Sequence, residues 1–179
     1  MIKKGLNKKR TYILLEYGTG FIAKQIRRFS KEYCPESDKV PTHVAMLRYN
    51  LDKWWVYEAH AKANKKFGIP SGVRRYTSDK WLQVEDINKF EIYPLSLDIK
   101  AMEEHIGESY SLGDIKELMH AAIHNSNGQQ KNRQGLICSE YFALCHRNIC
   151  SYYNLPPHCI TPAHIKNYVD KLQIKPIIK

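Results

Sequence analysis

The stretch GLICSEYFALCHR, residues 135–147, carries a cysteine where an apolar run turns into a helical pattern. Residues 138, 141, 142, 145 and 149 are apolar or weakly polar, which is core-facing helical spacing, and Cys138 is the first of them. The first turn of a helix leaves backbone N–H groups without partners and carries the positive end of the macrodipole. It therefore stabilises a thiolate, the nucleophilic form of cysteine. Burial acts in the opposite sense, so a reactive Cys138 requires a further partner, usually imidazole. Without one, it is a small buried hydrophobe.

Eight histidines are available. His105, His120, His124 and His146 fall in helical patterns and read as solvated or internally satisfied. His158 and His164 follow the cysteine in the C-terminal segment. His43 differs, because KVPT precedes it and HVAML carries it onto a strand. A second β-like run ends in VYEAH, where period-two alternation sends Glu58 and His60 to one face. A polar residue there would orient the imidazole and fix its tautomer, completing a nucleophile–base–orienter arrangement. Spacing alone leaves the alternative of an ordinary strand-initial surface histidine.

These residues need a sheet and a helix to bring them together, and the chain supplies both patterns. Residues 11–17 read as a strand, and GTGFIAKQIRRFSKEY as an amphipathic helix. HVAMLRY (43–49) and KWWVYEA (53–59), joined by NLD, have hairpin spacing. Short strands are expected at 73–76 and 89–95, with a Lys/Gly/Pro-rich loop at 60–72. Beyond Pro94 the pattern becomes helical, near 98–107, 112–124, 138–149 and 161–172. Thr161 and Pro162 supply an N-cap and a first helical residue for the last of these. The polar stretch 124–135 reads as a mobile loop. Strands first and helices afterwards indicate an α+β fold, with residues 1–179 as one domain.

Composition narrows the function classes. The 28 basic and 18 acidic residues give a formal charge of +10, which favours anionic partners. The basic residues are scattered, however, and no helix-turn-helix, finger or aromatic-basic sheet signature accompanies them, so no specific nucleic-acid site is expected. The five cysteines are odd in number, and Cys145, His146, Cys150, His158 and Cys159 crowd the C-terminal third. No CxxC pair occurs and the spacings fit no common zinc module, so neither a disulfide framework nor a metal or other cofactor is expected. No apolar run approaches the ~20 residues needed to span a bilayer. The basic segment 1–10, read as flexible, leads into TYILLEY, which contains Glu16 and lacks a small-residue cleavage site. It does not read as a signal peptide, and a cytoplasmic location in a bacterial or phage-infected cell is the expectation.

Several short motifs then fall into a recognisable order. PTHVAML, VYEA, GV at 72–73, YSLGDI at 110–115, ICSEYF at 137–142 and TPAHI at 161–165 follow one another over residues 41–165. In this order the chain resembles the circularly permuted papain-like cysteine hydrolases of the NlpC superfamily, which includes the lecithin:retinol acyltransferase-like proteins. In that family the histidine strand precedes the cysteine helix. The resemblance implies a permuted papain-like fold, a small antiparallel sheet packed against helices. It also implies Cys138 as nucleophile and His43 as general base. Glu58 matches the third position of bacterial permuted members, and His60 suits the acyltransferase-like pattern. The sequence departs from the family in the long loop before the cysteine and in lacking an accessory wall-binding segment.

The implied chemistry is acyl transfer on an amide, ester or thioester, with the Cys138 backbone N–H as oxyanion donor. Tyr110 is a candidate side-chain contact to the oxyanion or substrate, with a packed aromatic as the alternative. The basic loops at 60–72 and 124–135 would suit an acidic acyl donor, a peptide or a lipid head group. Two further readings stay open: a catalytically silent binding protein on the same fold, and a basic nucleic-acid-binding factor.

Overall fold

The computed structural model describes residues 5–33, 39–111 and 135–178. Among these, five strands form one antiparallel open sheet with helices against it, an α+β architecture. The strands are β1 (Thr11–Glu16), β2 (His43–Asn50), β3 (Lys53–His60), β4 (Gly72–Thr77) and β5 (Phe90–Pro94), in the spatial order β4-β3-β2-β1-β5. The helices are α1 (Phe21–Tyr33), α2 (Ser78–Trp81), α3 (Ile99–Glu104), α4 (Cys138–Cys145), α5 (Asn148–Tyr153) and α6 (Pro162–Lys171). The expected helix at 112–124 and most of the loop at 124–135 lie outside the described residues, as do Cys34, His120 and His124. No described helix is long and apolar enough to cross a membrane.

Alternation divides the core in two. Ile13, Leu15, Val44, Met46, Tyr57 and Ala59 face a cluster completed by Tyr141 and Phe142 of α4 and Ile165 and Val169 of α6. Tyr12, Leu14, Ala45, Leu47, Trp54 and Val56 face the other, which Trp81 of α2 closes and Leu6 joins. The sheet is covered on both faces, which explains why β1 and β2 read as nearly continuous apolar runs. Within the basic segment 1–10, Leu6 is anchored in the core and the Tyr12 hydroxyl holds the backbone of Asn7, while residues 1–4 lie outside the described residues.

Two local outcomes differ from the periodicity. The helix expected over 138–149 ends at Cys145, because the Asp98 N–H takes the Cys145 carbonyl at 2.8 Å. His146 leaves helical geometry at φ −143°, and its ring reaches the Ser96 carbonyl and the Tyr168 hydroxyl. The helix expected near 98–107 is shorter, Ile99–Glu104, with His105 at its C-terminal boundary. At α6 the cap is as the sequence suggested and more complete: the His164 N–H donates to Thr161 Oγ1, and the Thr161 N–H donates to His164 Nδ1.

Candidate active site

The site forms at the end of the sheet where β2 begins and β3 ends. Thr42 fixes that start: its N–H donates to the Glu16 carbonyl at 2.7 Å, and its hydroxyl accepts from the Gly18 N–H. The next residue, His43, follows the alternation of Ala45 and Leu47, away from the face that α4 covers. Its position at the strand end lets the ring reach the α4 N-terminus all the same. His43 Nε2 hydrogen-bonds Glu58 Oε2 at 3.1 Å, and the Cys138 side chain lies near enough to raise the proton affinity of the imidazole.

Cys138 is the first residue of α4 and is 6% exposed. The chain reaches it through a tightly threaded segment. Residues 107–110 lie between β4 and the approach to α4, with Val73 N–H donating to the Glu108 carbonyl and Leu136 N–H to the Ser109 carbonyl. Gly72 and Gly135 permit this: both have positive φ, and a Cβ on either would come within 2.3–2.4 Å of the Glu108 or Ser109 carbonyl oxygen. Tyr110 forms a main-chain bridge with Leu136 and packs against the first core cluster. The structure thus places it beside the segment that delivers Cys138.

Glu58 is 2% exposed. Arg74 donates to its Oε1 from Nε (2.9 Å) and Nη2 (2.5 Å), and Tyr76 from its hydroxyl (2.6 Å). Burial by itself raises a carboxyl pKa. The hydrogen bond and charge of His43, then the charge of Arg74, outweigh it and hold Glu58 well below the usual carboxylate range. Burial likewise opposes an imidazolium at His43, but Cys138, by charge and hydrogen bond, and then Glu58, raise its proton affinity well above that of free imidazole.

His60 stands edge-on to His43, ring centroids 5.5 Å apart, and its Nδ1 accepts from the Lys62 N–H. Of the two residues the sequence offered as third member, Glu58 hydrogen-bonds His43 and His60 stacks beside it. The sequence reading singled out neither Arg74 nor Tyr76. Both share the face of Glu58 through the register of β4 against β3, which the residues of β4 alone do not reveal. It also passed over Glu85, raised to about 7 by burial and by the charges of Glu58 and Glu16.

Among the described residues no disulfide joins the cysteines, and no three His, Cys, Asp or Glu side chains are grouped to hold a metal ion. His164, like His60, uses Nδ1 as an acceptor, and burial leads the causes that push each of them down to about 4. Both are therefore neutral in the folded protein at pH 5 to 6.5, whereas in the unfolded chain they take up protons below about 6.5. The unfolded state then binds more protons, so stability falls as pH drops from about 6.5 to 4. His43, with its raised value, contributes stability that is fully present below about 6.5 and is lost only at higher pH, so it does not offset this fall. We expect a lower urea midpoint at pH 5 than at pH 7. His164→Gln preserves the capping-box acceptor without the titration and should remove part of that drop. Glu85, raised to about 7, acts in the opposite sense over this range, so the decisive comparison is between proteins: a His164→Gln midpoint that varies with pH as the wild type does would show that the ring is not held neutral.

The sequence matches no protein-family model and no curated protein.

Proposed function

We propose that this chain is a cysteine hydrolase or acyltransferase of the permuted papain-like type, within the NlpC superfamily that its motif order resembles. One observation carries the reading: an imidazole hydrogen-bonded to a buried carboxylate, with a thiol at a helix N-terminus near enough to raise its proton affinity. Three separate elements, β2, β3 and α4, supply these groups. With Nε2–H donated to Glu58, the Nδ1 lone pair is free to take the thiol proton. The Cys138 thiolate then attacks the carbonyl carbon of an amide, ester or thioester. The oxyanion is received by the Cys138 backbone N–H at the first turn. The leaving group departs with the proton from His43, and water or another acceptor, deprotonated by His43, releases the acyl group and restores the thiol.

The exposed Lys62, Lys65 and Lys66, on the loop that follows β3, favour an anionic acyl donor. Comparing wild type with Cys138→Ala against a panel of amides, esters, thioesters and peptidoglycan fragments would identify it. The reading itself has a test that needs no substrate. Cys150 and Cys159 are more exposed than Cys138, so accessibility alone would label them first. We expect iodoacetamide at pH 7, followed by mass mapping, to modify Cys138 fastest in the folded protein. Faster labelling of Cys150 or Cys159 would favour a packed thiol in a binding protein.

A further inference from the structure

Arg74 lies between the proposed catalytic carboxylate and the loop at 61–71. On β4 it pairs directly with Glu58 of β3 and is 4% exposed. A cation at that depth must have its donors met. Two of them go to Glu58 Oε1, and Nη1 donates to the Lys62 carbonyl and the Pro70 carbonyl, each at 2.8 Å. The loop leaves β3 at residue 61 and enters β4 at residue 72, so one guanidinium grips both its ends.

The two carboxylate oxygens have divided their partners. Oε1 receives Arg74 Nε, Arg74 Nη2 and the Tyr76 hydroxyl, while Oε2 is left to His43 Nε2. The terminal torsion of a glutamate is broad and roughly two-fold, so an untethered carboxylate would sample many angles to the imidazole. The donors on Oε1 remove that freedom. A guanidinium does so with two donors of one plane converging on the same oxygen, which an ammonium cannot reproduce.

We propose that Arg74 is a positioning residue: it holds Glu58 by Oε1 so that Oε2 aims at His43, and it fastens both ends of the 61–71 loop to the same point. This rests on the Cys138–His43–Glu58 reading. The site is then set by four strand residues, His43, Glu58, Arg74 and Tyr76, and the basic loop is held in register with it. Replacing Arg74 by lysine keeps the charge and loses the fork.

The test is the rate at which iodoacetamide modifies Cys138 in the full chain, measured from pH 5 to 9, with melting curves to establish that each variant is folded. Arg74→Lys should label about tenfold more slowly at pH 7, with its pH profile displaced upward, as expected when a catalytic group is held loosely. Tyr76→Phe, which removes one neutral donor from Oε1, should give a smaller change in the same sense. Limited proteolysis at 61–71 should quicken in Arg74→Lys but not in Tyr76→Phe. If both variants keep the wild-type rate and profile, Arg74 only stabilises the fold and the proposal is overturned. If Arg74→Lys does not fold, Tyr76→Phe decides, and an unchanged profile there overturns it equally. Slow Cys138 labelling in the wild type would instead sink the underlying Cys–His–Glu reading.

Discussion

His43→Gln is expected to slow iodoacetamide modification of Cys138 at pH 7 about a hundredfold or more, the order of effect of removing a positioned base. The fold should persist, because the glutamine amide can donate to Glu58 Oε2 in place of the imidazole, and Arg74 still neutralises the carboxylate. What is lost is the proton acceptor beside the sulfur and the imidazolium charge that stabilises the thiolate. The pH dependence should change with the rate. In the variant, reaction should become steep through the range where free thiols ionise, near about 8.5. The wild type should already react well below it. Equal rates and parallel profiles would mean that His43 does not activate the Cys138 thiol.

The elements that carry these groups were legible because local pattern decides them. HVAMLRY and KWWVYEA are strands by composition and alternation, and the hairpin between them closes through Leu51 and Asp52, both at positive φ. The start of α4 was readable from its apolar spacing. Its end was not, because the Asp98 N–H that takes the Cys145 carbonyl lies 47 residues earlier in the chain. The same limit hid Arg74. In sequence it stands beside Arg75 as a charge pair, yet Arg75 runs out to Glu103 while Arg74 turns in to Glu58. Only strand order and register distinguish the two, and neither follows from the residues of β4 alone. The threading of 107–110 between β4 and Leu136 was also invisible: GV at 72–73 and the glycine at 135 marked places of close approach without saying what approaches.

Glu58→Gln should cut turnover about 10³- to 10⁴-fold, by the tautomer argument that applies to the aspartate of a serine-protease triad. In the proposed mechanism the carboxylate accepts the Nε2–H of His43, which leaves Nδ1 to act as the base. A glutamine in the same place would satisfy Arg74 and Tyr76 with its carbonyl oxygen at the Oε1 position. Its amide nitrogen would then stand against His43 Nε2, where it can only donate. The imidazole answers by moving its proton to Nδ1, the nitrogen that must receive the proton of Cys138. Stability should suffer too, since Arg74 loses its counter-charge while remaining buried, a change that typically costs about 3–5 kcal/mol. The sign of the acid limb follows from the depressed Glu58 value. Its contribution is complete above the ordinary carboxylate range, near about 4.3, and is lost as pH falls toward the folded value. Glu58→Gln should therefore lower the urea midpoint more at pH 7 than at pH 3. His60→Ala should be mild in turnover, because its Nδ1 is bonded to the loop backbone and its ring only stacks on His43. A severe loss in His60→Ala alongside an active Glu58→Gln would transfer the orienting role to His60. That outcome would move the protein toward the acyltransferase-like branch.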